Sequence, residues 1–275
     1  NIIDDNRKYN DTNSLINQTI QFLNICKENE VHRIIFMSSS MVYGNFDGEA
    51  VTEDRVCNPL GIYGALKYGS EKLIIGYYPH WIKDDLTPEK IDLNNLTHIV
   101  HAFAWPNSDG TLSTYSGMID PNLNFLVHNS DRKILISLGG WGNSSSFRDV
   151  IGDVSLRSTF MANIVTFVQQ NNYDGVDIDW EFPSTLSDRE NLTLFMSELR
   201  FALDKIDTGY LLTMAISSGN WYGQWFDYEK LVSISDWFGV MAYDFHGPWS
   251  SHSGHNSPIS SPLNCSDGSV ETALS

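Results

Sequence analysis

The sequence predicts an α/β chain organised around a parallel sheet, and three observations carry this. Six apolar, β-prone stretches recur along the chain: LIIGYY (73–78), HIVHAFA (98–104), KILISLGG (133–140), DGVDIDWE (174–181), LLTMAIS (211–217) and WFGVMAYD (237–244). Their spacing of roughly 25 to 40 residues suits successive strand-helix units, the signature of a parallel α/β fold. Polar and glycine residues gather at the C-terminal ends of these stretches, including Ser137, Gly139, Gly140, Tyr243 and Asp244.

Taken in order, residues 1–73 come first and read differently from the rest. Leu15, Ile16, Ile20, Leu23 and Cys26 recur at intervals of three and four, predicting a helix over 13–30. The apolar strand HRIIFMSSS follows, then a loop and a second helix over 61–73. Composition shifts at this point. Residues 1–73 carry seven basic and ten acidic side chains, whereas 74–275 carry ten basic, 24 acidic and all eight tryptophans. The predicted division is therefore 1–73 and 74–275.

In the second part, Leu156, Phe160, Ile164 and Val168 form one apolar helical stripe, and Leu192, Phe195, Leu199, Leu203 and Ile206 another. Ser187 followed by Glu190 reads as a capping box opening the latter. Between these helices lies YDGVDIDWEFP, residues 173–183. Strand geometry sends alternate side chains to opposite faces, so Asp177, Asp179 and Glu181 share one face at intervals of roughly 6 to 7 Å. Val176, Ile178 and Trp180 occupy the other.

Like charges on a buried face repel and lose hydration, which keeps at least one carboxyl protonated near neutral pH. A protonated carboxyl beside an ionised one is equipment for acid catalysis. A solvated acidic edge would not need large apolar residues behind it. A calcium loop wants a central glycine and a turn-rich segment, whereas this stretch is β-prone. Asp174 is out of phase with the other three acids and reads as structural.

A net charge of −17 argues against nucleic acid or an anionic membrane surface as partner. No apolar run reaches the roughly 18 to 20 residues of a membrane span, and NIIDDNRKYND is too polar for a secretory signal. Cys26, Cys57 and Cys265 are widely spaced, without CxxC or a paired histidine pattern, and read as ordinary thiols rather than a disulfide framework or metal site.

DGVDIDWE resembles the DGxDxDxE signature of family 18 glycoside hydrolases, the chitinases and their relatives, and SLGG (137–140), GYYPHW (76–81) and MAYDFHGPW (241–249) match further motifs of that family in order. The resemblance runs from about residue 74 to the C-terminus and implies a (β/α)8 TIM barrel. It also implies a substrate carrying a 2-acetamido group: chitin, a chito-oligosaccharide or another N-acetylglucosamine-containing glycan. This family uses that acetamido group in place of a protein nucleophile. By resemblance, Glu181 is general acid and base, and Asp179 orients the acetamido N–H. Asp177 shares a proton with Asp179, helped by hydrogen bonds from Ser137 and Tyr77, and Tyr243 donates to the acetamido carbonyl. Phe103, Gly140, Trp141, Met241 and Asp244 are the implied substrate-binding positions. Trp81, Trp105, Trp221 and Trp249 are further aromatic residues near strand ends that can stack on sugar rings. No cofactor or metal is implied for the hydrolase, and the family implies an extracellular setting.

In residues 1–73, SSSMVYG (38–44) and YGALK (63–67) resemble the middle of an extended short-chain dehydrogenase/reductase, the family of NAD-dependent nucleotide-sugar epimerases and dehydratases. The resemblance implies a helix-strand-helix fragment of a Rossmann-like fold, with Tyr63 as acid/base, Lys67 lowering its pKa and Ser39, or alternatively Ser40, bonding the reacting oxygen. A tyrosine four residues before a lysine shares its helix face. The glycine-rich turn that would seat the NAD pyrophosphate is not present in these residues.

The expected architecture is thus an incomplete (β/α)8 barrel of six strands. After MAYDFHGPW, 26 residues remain, polar except for the start of a helix near Val270. The alternatives to hydrolysis are glycan binding without turnover by an incomplete barrel, and nucleotide-sugar chemistry by the N-terminal part.

Overall fold

The structure, a computed structural model, describes residues 74–260 and 268–273. The elements expected in 1–73, with Ser39, Tyr63 and Lys67, lie outside the described residues. In chain order the strands are β1 (Ile75–Pro79), β2 (His98–Pro106), β3 (Leu112–Thr114), β4 (Lys133–Gly139), β5 (Gly175–Asp179), β6 (Leu211–Ser217) and β7 (Trp237–Met241). The α-helices are α1 (Pro121–Asn129), α2 (Phe147–Gly152), α3 (Val154–Gln170), α4 (Leu186–Asp204), α5 (Asn220–Gly223), α6 (Tyr228–Leu231) and α7 (Val270–Ala273).

Six strands pair in parallel in the order β1-β2-β4-β5-β6-β7, and β3 adds to β2 as an antiparallel partner. The sheet is a curled half-barrel, an incomplete (β/α)8 barrel, and each of the six predicted stretches is one of its strands. Three end earlier than expected: β4 at Gly139, β5 at Asp179 and β7 at Met241.

The central strands are covered on both sides. Ile134, Ile136 and Leu138 of β4 and Val176 and Ile178 of β5 are fully buried, as are Phe160, Phe195, Leu199 and Leu203 of the covering helices. Each such aliphatic side chain contributes about 1.5–3 kcal/mol on burial. Aromatic stacking ties the layers together. The ring of Phe147 stacks on Trp180 at 5.8 Å and that of Phe160 on Phe195 at 5.5 Å.

The helix stripes are as the periodicity predicts except at their ends. Leu156 is only partly buried, and Ile206, beyond the end of α4, is 47% exposed. The cap of α4 also differs. Thr185, not Ser187, is the N-cap, accepting from the Asp188 amide at 3.1 Å, while Asp188 reaches back to the Ser184 amide at 2.8 Å. This is a variant of the expected box, shifted two residues, in which the returning carboxylate takes the amide before the cap rather than the cap's own. Thr185 wins because Asp188 is also buried against Arg148, which grips both its oxygens at 2.8 and 2.7 Å.

The start of β5 is held by Asp174. Its amide donates to the Ile134 carbonyl at 2.7 Å, and its carboxylate accepts from the Ile134 amide at 2.8 Å and from His128 Nε2 at 2.9 Å. Gly175 follows, where a Cβ would lie 2.2 Å from the Leu211 carbonyl oxygen. Only glycine permits that approach between β5 and β6.

Among the described residues no helix is long and apolar enough to cross a membrane.

Candidate active site

Parallel register builds the site. Ser137 of β4, Asp177 of β5 and Thr213 of β6 are direct register partners, so their side chains form one inward row. Two hydroxyls therefore flank one carboxylate. Ser137 Oγ donates to Asp177 Oδ2 at 2.8 Å and Thr213 Oγ1 to Oδ1 at 2.6 Å; Tyr77 from β1 adds a third donor to Oδ2 at 2.9 Å. Asp177 is 1% exposed. Burial pushes its carboxyl up, and the three hydroxyls pull it back toward the ionised form.

Asp179, two residues on, is buried with no such compensation. Its Oδ1 has no hydrogen-bond partner. Burial first, then the charges of Asp177 and Glu181, hold its pKa well above the ordinary carboxylate value. Of the two interior acids, Asp179 is the one pushed further toward the protonated form.

Glu181 follows the last rung of the sheet and is half-buried. Burial and then Asp244 raise its pKa, while a hydrogen bond from the Trp141 backbone N–H opposes the rise. Glu181 also lines a cavity of about 580 Å³ with Trp141, Ser144, Arg148, Trp180 and Phe182, a cavity that Asp177, Asp179 and Tyr243 do not reach. All three acids of this row are thus raised in pKa by burial, Asp177 against three opposing hydroxyl donors, Asp179 furthest and with none, and Glu181 with one opposing backbone donor.

The remaining predicted residues gather near this row to different degrees. Although 46% of Tyr77 is exposed, its hydroxyl sits on Asp177, and burial together with Asp177 and Asp179 raises its pKa well above 10. Tyr243 is 51% exposed, and its phenol is pushed up to about 12 by burial and by Asp179 and Glu181. It remains a proton donor at any ordinary pH. Asp244 adopts φ 57° and accepts from Asn256 at 2.7 Å. Met241 ends β7 opposite Ser217. Gly140, at φ +80°, leaves room for the Phe103 ring, since a Cβ there would lie 2.8 Å from it. Phe103 in turn stacks on Trp81 at 6.1 Å. Trp141 is 79% exposed, and Trp81, Trp221 and Trp249 are similarly open, whereas Trp105 packs edge-on against Tyr115 at 5.0 Å.

Two residues at the site were not anticipated. Thr213, inside LLTMAIS, reads as a β-branched strand filler, and only the register identifies it as a partner of Asp177. Ser144, in a serine run, is buried and bonds the Glu181 amide at 3.2 Å. Among the described residues no group of three or more His, Cys, Asp or Glu is placed to hold a metal.

A row of acids at the C-terminal end of a parallel strand, with aromatic side chains around it, has the placement of an active site in the barrel-enzyme class. The comparisons make that class specific. The family described as "Glycosyl hydrolases family 18" matches residues 73–274, and the "NAD dependent epimerase/dehydratase family" matches residues 3–80. The chain belongs to glycosyl hydrolase family 18. Chitinase A1 of Niallia circulans is 31% identical over 250 residues, spanning 68% of this chain and 36% of that protein. A probable endochitinase of Caenorhabditis elegans is 32% identical over 206 residues, spanning 66% and 33%. Among solved structures, catalytic domain 2 of the group II chitinase of Ostrinia furnacalis superposes with a TM-score of 0.67 at 26% identity, over 73% of this chain and 58% of that one. A mutant of the same domain has been crystallised in complex with penta-N-acetylchitooctaose. The chain spans about a third to a half of the length of three of the curated relatives it matches, and a tenth of a probable chitinase 10 of Drosophila melanogaster.

Proposed function

We propose that this chain carries the acid machinery of an enzyme that hydrolyses β-1,4-linked N-acetylglucosamine polymers or oligomers with retention, the substrate's own acetamido group serving as nucleophile. The observation that carries this reading is the graded row on β5. Glu181, raised in pKa at the cleft, protonates the glycosidic oxygen and then takes a proton from water. Asp179 presents a buried, unpartnered Oδ1 to the acetamido N–H. As positive charge develops on the oxazolinium ring, its proton shifts toward Asp177, whose three hydroxyl donors already favour an ionised carboxylate. Tyr243 donates to the acetamido carbonyl. Trp141, Phe103 and Met241 supply apolar contact with sugar faces, and Asp244 a polar one. No cofactor enters these steps. The complex of the Ostrinia furnacalis domain supports a chito-oligosaccharide as ligand.

The test is hydrolysis of a fluorogenic N-acetylchitobioside by the purified chain beside Glu181→Gln. Turnover in the parent and a loss of about 10²- to 10⁴-fold in the variant is expected. A parent without turnover at high enzyme concentration overturns the reading.

A second reading, glycan binding without turnover, draws on the sheet's end at β7 among the described residues and on the exposure of Tyr243. Saturable chito-oligosaccharide binding by an inactive, folded parent would establish it. We also propose a boundary between 1–73 and 74–275; the two family matches, 3–80 and 73–274, overlap at and just after it. Nucleotide-sugar chemistry in 1–73 is a third reading, and a rise in melting temperature with added NAD would support it.

A further inference from the structure

The pairing of β4 with β5 ends at Gly139 and Asp179. Glu181 lies two residues beyond that rung, so its backbone has no strand neighbour to hold it. Ser144 stands where the next rung would be. Its Oγ accepts from the Glu181 amide at 3.2 Å and lies 3.1 Å from the Gly140 carbonyl and 3.3 Å from the Asp179 carbonyl, to which its single hydrogen is shared. The side chain is buried, as Ser144 is only 6% exposed. Gly140 closes the arrangement by donating its amide to the Asp179 carbonyl at 2.8 Å.

One hydroxyl thus joins three points: the end of the acid-bearing strand, the backbone of Glu181 and the start of the loop that carries Trp141. We propose that Ser144 is a positioning residue that stands in for a strand rung, fixing Glu181 relative to the Trp141 backbone amide. This rests on the reading of Glu181 as general acid and base. Ser144 itself touches no reacting atom.

The consequence is double. Without the Ser144 hydroxyl the Glu181 backbone is free to drift from the geometry in which its carboxyl reaches a substrate. The Trp141 N–H also loses its fixed distance to that carboxylate. Since this donor favours the ionised form, loosening it moves the Glu181 titration to higher pH.

The experiment is a ¹³C NMR titration of the Glu181 carboxyl in the full chain, labelled at glutamate Cδ and identified by the resonance missing from Glu181→Gln. Parent, Ser144→Ala and Ser144→Cys are compared, the last keeping the volume while weakening the bonds. An upward shift of roughly half a unit or more is expected in both variants. Where the parent turns over, kcat is expected to fall roughly tenfold to 100-fold, with KM changed less than about twofold and the alkaline limb of the pH profile moved upward. A stability defect alone would lower the active fraction and leave that limb in place. Identical Glu181 titrations in parent and variants overturn the proposal whether or not the chain hydrolyses anything. A shift in a chain that shows no turnover upholds the positioning and sinks only the hydrolase reading.

Discussion

β5 and β7 both carry residues singled out for the site, yet they are held in opposite ways. β5 is buried at every position, lies between β4 and β6, and its Asp177 is gripped by hydroxyls from three other strands. β7 pairs with β6 alone among the described residues, and only Trp237 of its five residues is buried. Beyond it, Tyr243 and Asp244 are exposed, and Asp244 is steadied by a loop contact with Asn256. Protonation states are therefore set in the middle of the sheet, by desolvation and fixed donors. The groups beyond β7 depend on loop geometry.

Substitutions at the two places should differ in size accordingly. The largest effect is expected from Gly139→Ala, because Gly139 sits at φ +119° and a Cβ would lie 2.2 Å from the Asp179 carbonyl oxygen. Urea unfolding should show a loss of more than about 4 kcal/mol; a mild loss would mean that the β4–β5 centre is softer than its packing indicates.

Asp179→Asn should abolish most activity and yet stabilise the fold. The folded-state pKa of Asp179 is raised, so its stability contribution is intact below the unfolded-state value and is lost as pH rises through the folded-state value. The melting temperature of the variant should therefore match the parent at about pH 4 and exceed it progressively toward neutrality, by roughly 2–4 °C for each kcal/mol released. A gain independent of pH would show that Asp179 does not hold the proton.

Thr213→Val removes one donor from Asp177 without changing shape, and a loss of about 1.5–3 kcal/mol is expected at neutral pH in urea unfolding. Asn256→Ala, on the exposed loop beyond β7, should change stability by less than about 0.5 kcal/mol. If the last two substitutions cost the same, the contrast between centre and edge is wrong.

The fold was legible where burial is two-sided. A strand covered on both faces must be apolar nearly throughout, as β2, β4, β6 and, its two acids apart, β5 are; β1 and β7, only partly buried, were legible from their apolar, β-prone runs alone. β3 was not legible. It has three residues, and its only signal is the Ser-Asp-Gly turn before it, in which Asp109 takes the Thr111 amide at 2.9 Å. α1 did carry a signal, an Asp120 cap followed by Pro121 at the first turn.

Within the site, the three acids announce themselves by alternation, since carboxylates interleaved with buried aliphatics cost too much to keep unless a site uses them. Ser137 and Tyr77 carry hydroxyls that the structure brings onto Asp177. Thr213 and Ser144 were hidden for different reasons. A threonine in a strand is ordinary, and a buried serine in a serine run looks like its exposed neighbours. Both act through contacts distant in sequence, which periodicity does not encode.

Asp174 extends this to the far end of β5, about 23 Å from Glu181 at strand rise. Its clamp on Ile134, with Gly175 pressed on Leu211, sets the parity of everything downstream. Deleting a single residue between Asp174 and Asp177 would leave every acid in the chain. It would nonetheless turn Asp177 and Asp179 into the layer of Phe147 and Phe160 and bring Ile178 to the interior. Such a deletion barely alters composition, so a search for acids alone would pass it as intact. For this strand, odd and even are the difference between a site and a misfold.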